Sequence, residues 1–346
     1  MRKLLLPLFI VLIAITLTAC NDDTGSNEDK VKPFIGGTRG ISMEFVEGAP
    51  PQSILDAGQT TFSIQTRLTN EGEQDIEMDG DVNYLEVSVE GIVPQQFGLP
   101  ADDDLKLELQ DDLQGGKKYP DGTVNPGSST ILSWDGLSYP SDLQGNDEKS
   151  FLVNLCYDYM TKSTSRICLS DDSSSALFDK QSKDICDITA PKTTYNSGGP
   201  VHVQNVRQNT AGGNKVSVMF DVVHVGNGAV YEFGEAECDP SLNNRKNKGK
   251  VDVTASLPES TPASISCGRS WENDGSNEVS GAITLLGSES DDEDGGRQST
   301  TVNCIIESDA GGTVVYDESL SIDLKYRYSQ NERKTITIKD VGSSDE

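Results

Sequence analysis

Residues 151–169, FLVNLCYDYMTKSTSRICL, decide how the rest of the chain is read. Phe151, Val153, Leu155, Tyr157 and Tyr159 alternate with polar or smaller neighbours, so period two places them on one face of a strand. Ile167 and Leu169 resume the pattern after a polar interval. The expectation is a β-hairpin, with residues 160–163 as its turn region. Cys156 and Cys168 then lie near the middle of the two arms. A direct Cys156–Cys168 bridge is one candidate, subject to strict geometry, and a Cys168–Cys186 bridge competes with it.

The same motif returns later. Leu155-Cys156-Tyr157-Asp158-Tyr159, followed by Ile167 and Leu169, is echoed by Leu324-Lys325-Tyr326-Arg327-Tyr328, followed by Ile336 and Ile338. Two further landmarks recur in the same order. Gly36-Gly37 before Ile41 and Met43 is echoed by Gly198-Gly199 before Val201 and Val203. Phe62-Ser63-Ile64 with Gly72 is echoed by Val216-Ser217-Val218 with Gly226. Shared order with unequal spacing predicts two copies of one sheet unit, each of roughly 130–150 residues. The tyrosine pairs fit packing, with rings filling volume and hydroxyls reaching an edge.

The intervening sequence supports an all-β chain of short strands. Ile41, Met43 and Phe45 alternate and stop at Gly48-Ala49-Pro50-Pro51. Phe62, Ile64, Thr66 and Leu68 alternate up to the turn Asn70-Glu71-Gly72, where the glycine tolerates positive φ. Val82, Tyr84, Val87 and Val89 continue with a slip near Leu85, and Leu105, Leu107 and Leu109 alternate with charges as a strand or a short edge element. Residues 115–127 are Gly/Pro-rich loop, and Ile131-Leu132-Ser133-Trp134 is a strand entering an Asp135-Gly136 turn. No long 3.6-period amphipathic stretch is present.

At the level of strand, Asn-x-Gly turn and strand, residues 61–77 and 215–233 resemble extracellular immunoglobulin-like surface modules of bacteria and archaea. In the second copy the turn reads His224-Val225-Gly226, with Asn227-Gly228 just beyond. The resemblance implies two tandem immunoglobulin-like β-sandwich domains.

The amino terminus addresses the chain. Residues 1–20, MRKLLLPLFIVLIAITLTAC, carry a basic start, an apolar run and the close Leu17-Thr18-Ala19-Cys20. This resembles the signal peptide and lipobox of a prokaryotic lipoprotein. The resemblance implies cleavage before Cys20 and lipid on its sulfur; an uncleaved anchor or an ordinary cleaved signal would export the chain as well. The expected organisation is signal peptide 1–19, lipidated polar tether 20–33, and β-sandwich domains 34–185 and 186–346.

Charge and cysteines narrow the chemistry. A net charge of −28 offers no basic face for displacing phosphate counterions, which argues against nucleic acid. Six cysteines remain beside Cys20: Cys156, Cys168, Cys186, Cys238, Cys267 and Cys304. An even number in an exported chain favours disulfides, with 15 pairings open. The only histidines are His202 and His224, both read as packed or surface imidazoles, so a zinc or haem site is not expected. The acidic runs offer calcium ligands at Asp102, Asp103, Asp104, Asp291, Asp292 and Asp294, although neither run matches the EF-hand loop; no other cofactor is expected. Residues 245–250, RKNKGK, form the single basic patch, able to face an acidic surface of a neighbouring copy.

No nucleophile-elbow, zinc-protease or phosphate-loop motif is present. The functional expectation is a lipid-anchored cell-surface protein with a structural or adhesive role, such as a subunit of an envelope layer or filament. Its partners would be the membrane, through Cys20, and other surface proteins or copies of itself. A solute- or glycan-binding lipoprotein is the alternative, and an exported hydrolase the third reading.

Overall fold

The computed structural model describes residues 32–100, 105–170, 186, 188, 190–234, 238, 246–268, 271–272, 275–287, 298–309, 311 and 315–342. The first half contributes β1 (Ile41–Phe45), β2 (Ser53–Leu55), β3 (Thr61–Asn70), β4 (Leu85–Glu90), β5 (Lys106–Glu108), β6 (Lys117–Lys118), β7 (Val124–Asn125), β8 (Ser129–Ser138) and β9 (Asp147–Ser170). The second half contributes β10 (Thr194–Asn196), β11 (Val201–Gly212), β12 (Lys215–His224), β13 (Ala229–Tyr231), β14 (Lys250–Ser256), β15 (Ala263–Cys267), β16 (Glu278–Thr284), β17 (Ser299–Ser308) and β18 (Val315–Lys339). Helical structure among the described residues is confined to short 3-10 segments, of which Pro94–Phe97 is one. The protein is all-β, with several sheets consistent with β-sandwich domains.

One small sheet belongs to each half: β1-β3-β8 and β11-β12-β17-β15. Both face a larger sheet of order β16-β14-β18-β9-β4-β5, with β10 beside β9 and with β13 and β2 beside β18. Alternate residues of the strands point inward, as a two-residue period requires; β3, for example, buries Phe62, Ile64, Thr66 and Leu68.

The expected hairpin is instead one strand. β9 runs unbroken from Asp147 to Ser170 and pairs antiparallel with β18 along its length, from Val315↔Ser170 to Ile338↔Asp147. Residues 160–163 contain no glycine, proline or asparagine to reverse the chain. Their polarity is satisfied within the sheet instead. The Thr161 hydroxyl lies 2.7 Å from that of Tyr326, Ser163 donates to Asn196 Oδ1 at 2.5 Å, and Ser165 donates to the Thr193 carbonyl at 3.0 Å. Cys156 and Cys168 therefore sit on one strand, about 40 Å apart at roughly 3.4 Å per residue, and cannot bridge each other. A second correction concerns Asp135-Gly136. β8 continues through it to Ser138, with a register shift against Phe62 and Ile64 and Gly136 at φ 72°, which makes a bulge and not a turn.

The recurring motif marks the crossing of the two long strands. Tyr159 pairs with Tyr326 and Tyr157 with Tyr328, around the pair Asp158↔Arg327. The rings of Tyr157, Tyr159 and Tyr328 meet edge to face, and all four tyrosines are buried. Their hydroxyls take backbone donors from the facing layer. Ile41 N donates to Tyr157 at 3.1 Å, Gln74 N to Tyr159 at 3.4 Å and Gly228 N to Tyr328 at 2.5 Å. The echoed turns match bond for bond. The Gly40 carbonyl accepts from Glu71 N and Gly72 N at 2.8 and 3.1 Å, and the Pro200 carbonyl from Val225 N and Gly226 N at 2.8 and 3.1 Å. Gly72 does not have positive φ. It is glycine because a Cβ would overlap the Tyr159 hydroxyl, and Gly226 stands the same way to Tyr328.

Beyond this crossing each long strand enters the other half. β9 pairs with β10 at residues 163–165, and the Gln208 side chain of β11 bonds both backbone groups of Cys168. β18 ends beside β2, in parallel register from Thr337↔Ser53 to Lys339↔Leu55, with Ile336 and Ile338 buried.

Candidate functional site

The flank of β18 is not continuously covered. β13 pairs with it as far as Ala229↔Ser329, and β2 joins at Thr337↔Ser53. Between them, among the described residues, residues 330–336 have no strand on that side. A cleft opens there, floored by the outward face of the large sheet. Asn154 of β9 and Asn331 of β18 are cross-strand partners on that face. Ser329 donates to Asn154 Oδ1 at 3.1 Å, and both residues line the opening. The Asn227-Gly228 turn forms one wall and is tied down by the bond to the Tyr328 hydroxyl. Glu90, at the end of β4, and Lys248, bridged to Tyr231 through the backbone, occupy the rims. The cavity measures about 410 Å³. A second of about 240 Å³ adjoins it, shares Asn227, Gly228 and Asn331, and reaches Arg39, Ser42 and Glu332 over the strand edge.

Next to the cleft, on the same sheet face, lies a buried ion pair. Arg327 Nε donates to Asp158 Oδ1 at 2.8 Å and Nη2 to Oδ2 at 3.1 Å, with the side chains 6% and 4% exposed. The guanidinium stacks 3.9 Å from the Tyr84 ring centroid, and burial raises the Tyr84 pKa. The Cys156–Cys238 disulfide and Tyr231 complete this second small core. Burial also raises the pKa of Tyr157, Tyr159 and Tyr326, and pushes Tyr328 up to about 12. These phenols are protonated packing groups and not proton-transfer groups at neutral pH.

Three carboxylates, Asp56, Asp142 and Asp340, approach within 4.8 Å of one another. Asp56 is fully buried, and its oxygens accept Leu143 N at 2.8 Å and Val341 N at 3.0 Å. Those bonds clasp the end of β18 against the first half and account for the burial. The calcium candidates Asp102, Asp103, Asp104, Asp291, Asp292 and Asp294 lie outside the described residues, as does Cys20.

The other six cysteines form three disulfides: Cys156–Cys238, Cys168–Cys186 and Cys267–Cys304. They indicate an oxidising, extracytoplasmic environment. Among the described residues no helix is long and apolar enough to cross a membrane. His202 Nε2 sits 3.1 Å from the Gly37 carbonyl, with burial lowering its pKa, and His224 Nε2 sits 3.4 Å from the Tyr328 hydroxyl. The His224 ring meets the buried Tyr328 ring edge to face, whereas His202 is half-buried on the face of β11 opposite Val201 and Val203. In the basic run, Arg245 lies outside the described residues, Lys248 reaches the cleft rim, and Lys250 pairs with Glu232 at 2.9 Å.

The cleft residues were not visible in the sequence. Asn154 and Asn331 are 177 positions apart and meet only through the β9–β18 register. The one local signal was the Asn227-Gly228 turn. Compared with known proteins, the chain matches no family model, and no curated protein matches it significantly.

Proposed function

We propose that this is a lipid-anchored, extracytoplasmic surface protein with a structural or adhesive role, with Cys20 as the lipid attachment site and the polar tether giving reach. The observation that carries the reading is the β9–β18 pair, which runs through both halves. At roughly 3.4 Å per residue it spans about 80 Å. A strut of this kind, tied to Cys238 by the Cys156–Cys238 disulfide, suits a body that bears contacts and needs no moving parts. The edge strands β1, β8, β11 and β15 of the two smaller sheets offer backbone groups to other surface proteins or to copies of this chain. The immunoglobulin-like likeness of the halves belongs to the same proposal.

The test is fractionation and intact mass of the native protein, beside a Cys20→Ser variant. The expected result is membrane-bound protein beginning at a lipidated Cys20, shaved from whole cells by added protease, with the variant released from the membrane. Native protein in the cytosol, with Met1 retained and all thiols free, would refute the proposal.

A further inference from the structure

We infer that the cleft floored by Asn154 and Asn331 is a binding site for a neutral polyhydroxylated ligand, one or two sugar units of a glycan. The inference goes beyond the anchored structural role and does not depend on it, because a protein released from the membrane would keep the cleft.

The floor sets the chemistry. Directly opposed residues of antiparallel strands bring their Cβ atoms to about 5 Å, so the two carboxamides lie side by side. An amide offers donors and an acceptor without charge, as a hydroxyl does. Two adjacent amides can therefore bracket neighbouring hydroxyls on a pyranose ring. The Asn154 oxygen already accepts from Ser329, so what that amide has left to offer a ligand is its N–H groups. The side chains of Asn227 and Asn331 make no hydrogen bond to any described residue, so their amides are available to a ligand.

The walls exclude other classes. Glu90 and Lys248 stand on the rims with opposite charge, so neither an anion nor a cation is favoured, and the chain's charge of −28 further opposes an anion. Tyr231, the one aromatic ring among the described residues that line the cleft, is 2% exposed and gives no stacking platform. An apolar ligand would leave the floor amides unpaired, at a cost in affinity. A volume of about 410 Å³ lies within the range of roughly 300–1,000 Å³ for small-molecule sites. Without stacking, one sugar unit should bind with a dissociation constant on the order of 1 mM. Many copies displayed against a repeating polysaccharide would strengthen that by avidity.

The experiment uses the full chain in a detergent without a sugar headgroup. Saturation-transfer NMR is recorded with maltose, cellobiose, lactose, mannobiose and diacetylchitobiose, and with a sulfated and a uronic-acid disaccharide. Asn331→Ala and Asn154→Ala are measured in parallel with their thermal unfolding. The expected result is transfer to at least one neutral disaccharide, weakened about tenfold or more by either variant at unchanged unfolding temperature. If Asn154→Ala proves unstable, the exposed Asn331→Ala decides alone. Transfer to no member, transfer undiminished in the variants, or transfer confined to the acidic disaccharides would overturn the inference. Loss of membrane anchoring in the Cys20→Ser variant would leave this result unchanged, so the two readings fail separately.

Discussion

Replacing Arg327 by leucine tests how the two halves are joined. In the native protein the Asp158 carboxylate is 4% exposed and accepts two guanidinium hydrogen bonds beneath the Tyr84 ring. Arg327→Leu leaves that carboxylate buried without a counter-charge, which costs about 3–5 kcal/mol. The double variant Asp158→Leu/Arg327→Leu removes both charges, and similar pairs replaced by apolar groups come out near neutral or stabilised by about 1–4 kcal/mol. The single variant should therefore be less stable than the double. Urea unfolding followed by tryptophan fluorescence reads both halves. Trp134 lies in β8 of the first, and Trp271 packs over Gly281 of β16 in the second. Because β9 and β18 run through both halves, both tryptophans should report the same midpoint, lowered together in Arg327→Leu. An Arg327→Leu protein within about 1 kcal/mol of wild type, a double variant as weak as the single, or two separate midpoints would refute the reasoning.

Other consequences are as specific. Gly72→Ala drives a methyl into the Tyr159 hydroxyl and the Gly198 carbonyl, costing about 1–3 kcal/mol; Tyr159→Phe in the same chain should recover part of this loss in urea melts. Replacing Cys156 and Cys238 by serine opens a link between residues 82 apart, and should lower stability by about 2–5 kcal/mol under oxidising conditions, with no further change on adding reductant that acts at this bond. Arg166 bonds Asp317 and holds its carboxyl below the ordinary carboxylate range. Stability from this pair is present above that range and is lost as pH falls through the depressed folded value. Asp317→Asn should thus lower the melting temperature slightly at pH 7, by an exposed-pair effect of under about 1 kcal/mol, and the gap should close in acid. Deleting residues 331–346 removes Ile336 and Ile338 from the core, worth about 1.5–3 kcal/mol each, and should shift the Trp134 emission to the red.

Much of the fold was legible in local pattern. Alternation located β1, β3, β11 and β12, and the inward parity of residues 151–169 was right even though the hairpin was not. Thr161, Ser163 and Ser165 are polar for reasons supplied by distant partners, Tyr326, Asn196 and Thr193. Nothing in residues 160–163 themselves reveals those partners, so a buried polar row resembled a turn. The tyrosine echo showed that two strands were alike, but not that they were each other's neighbours. The cleft was illegible for the same reason, since its floor exists only once that pairing is known. Gly72 was read only as a turn residue tolerant of positive φ, which it does not adopt; its actual constraint, a hydroxyl 87 positions along the chain, was out of reach.

The return of β18 to lie beside β2 makes the first half depend on a contact of very low sequence locality. Asp56 receives Val341 N across 285 positions, so that half cannot complete its sheet by local collapse. Its closure waits on a pairing made across most of the chain, which places it among the slow, non-local steps of folding.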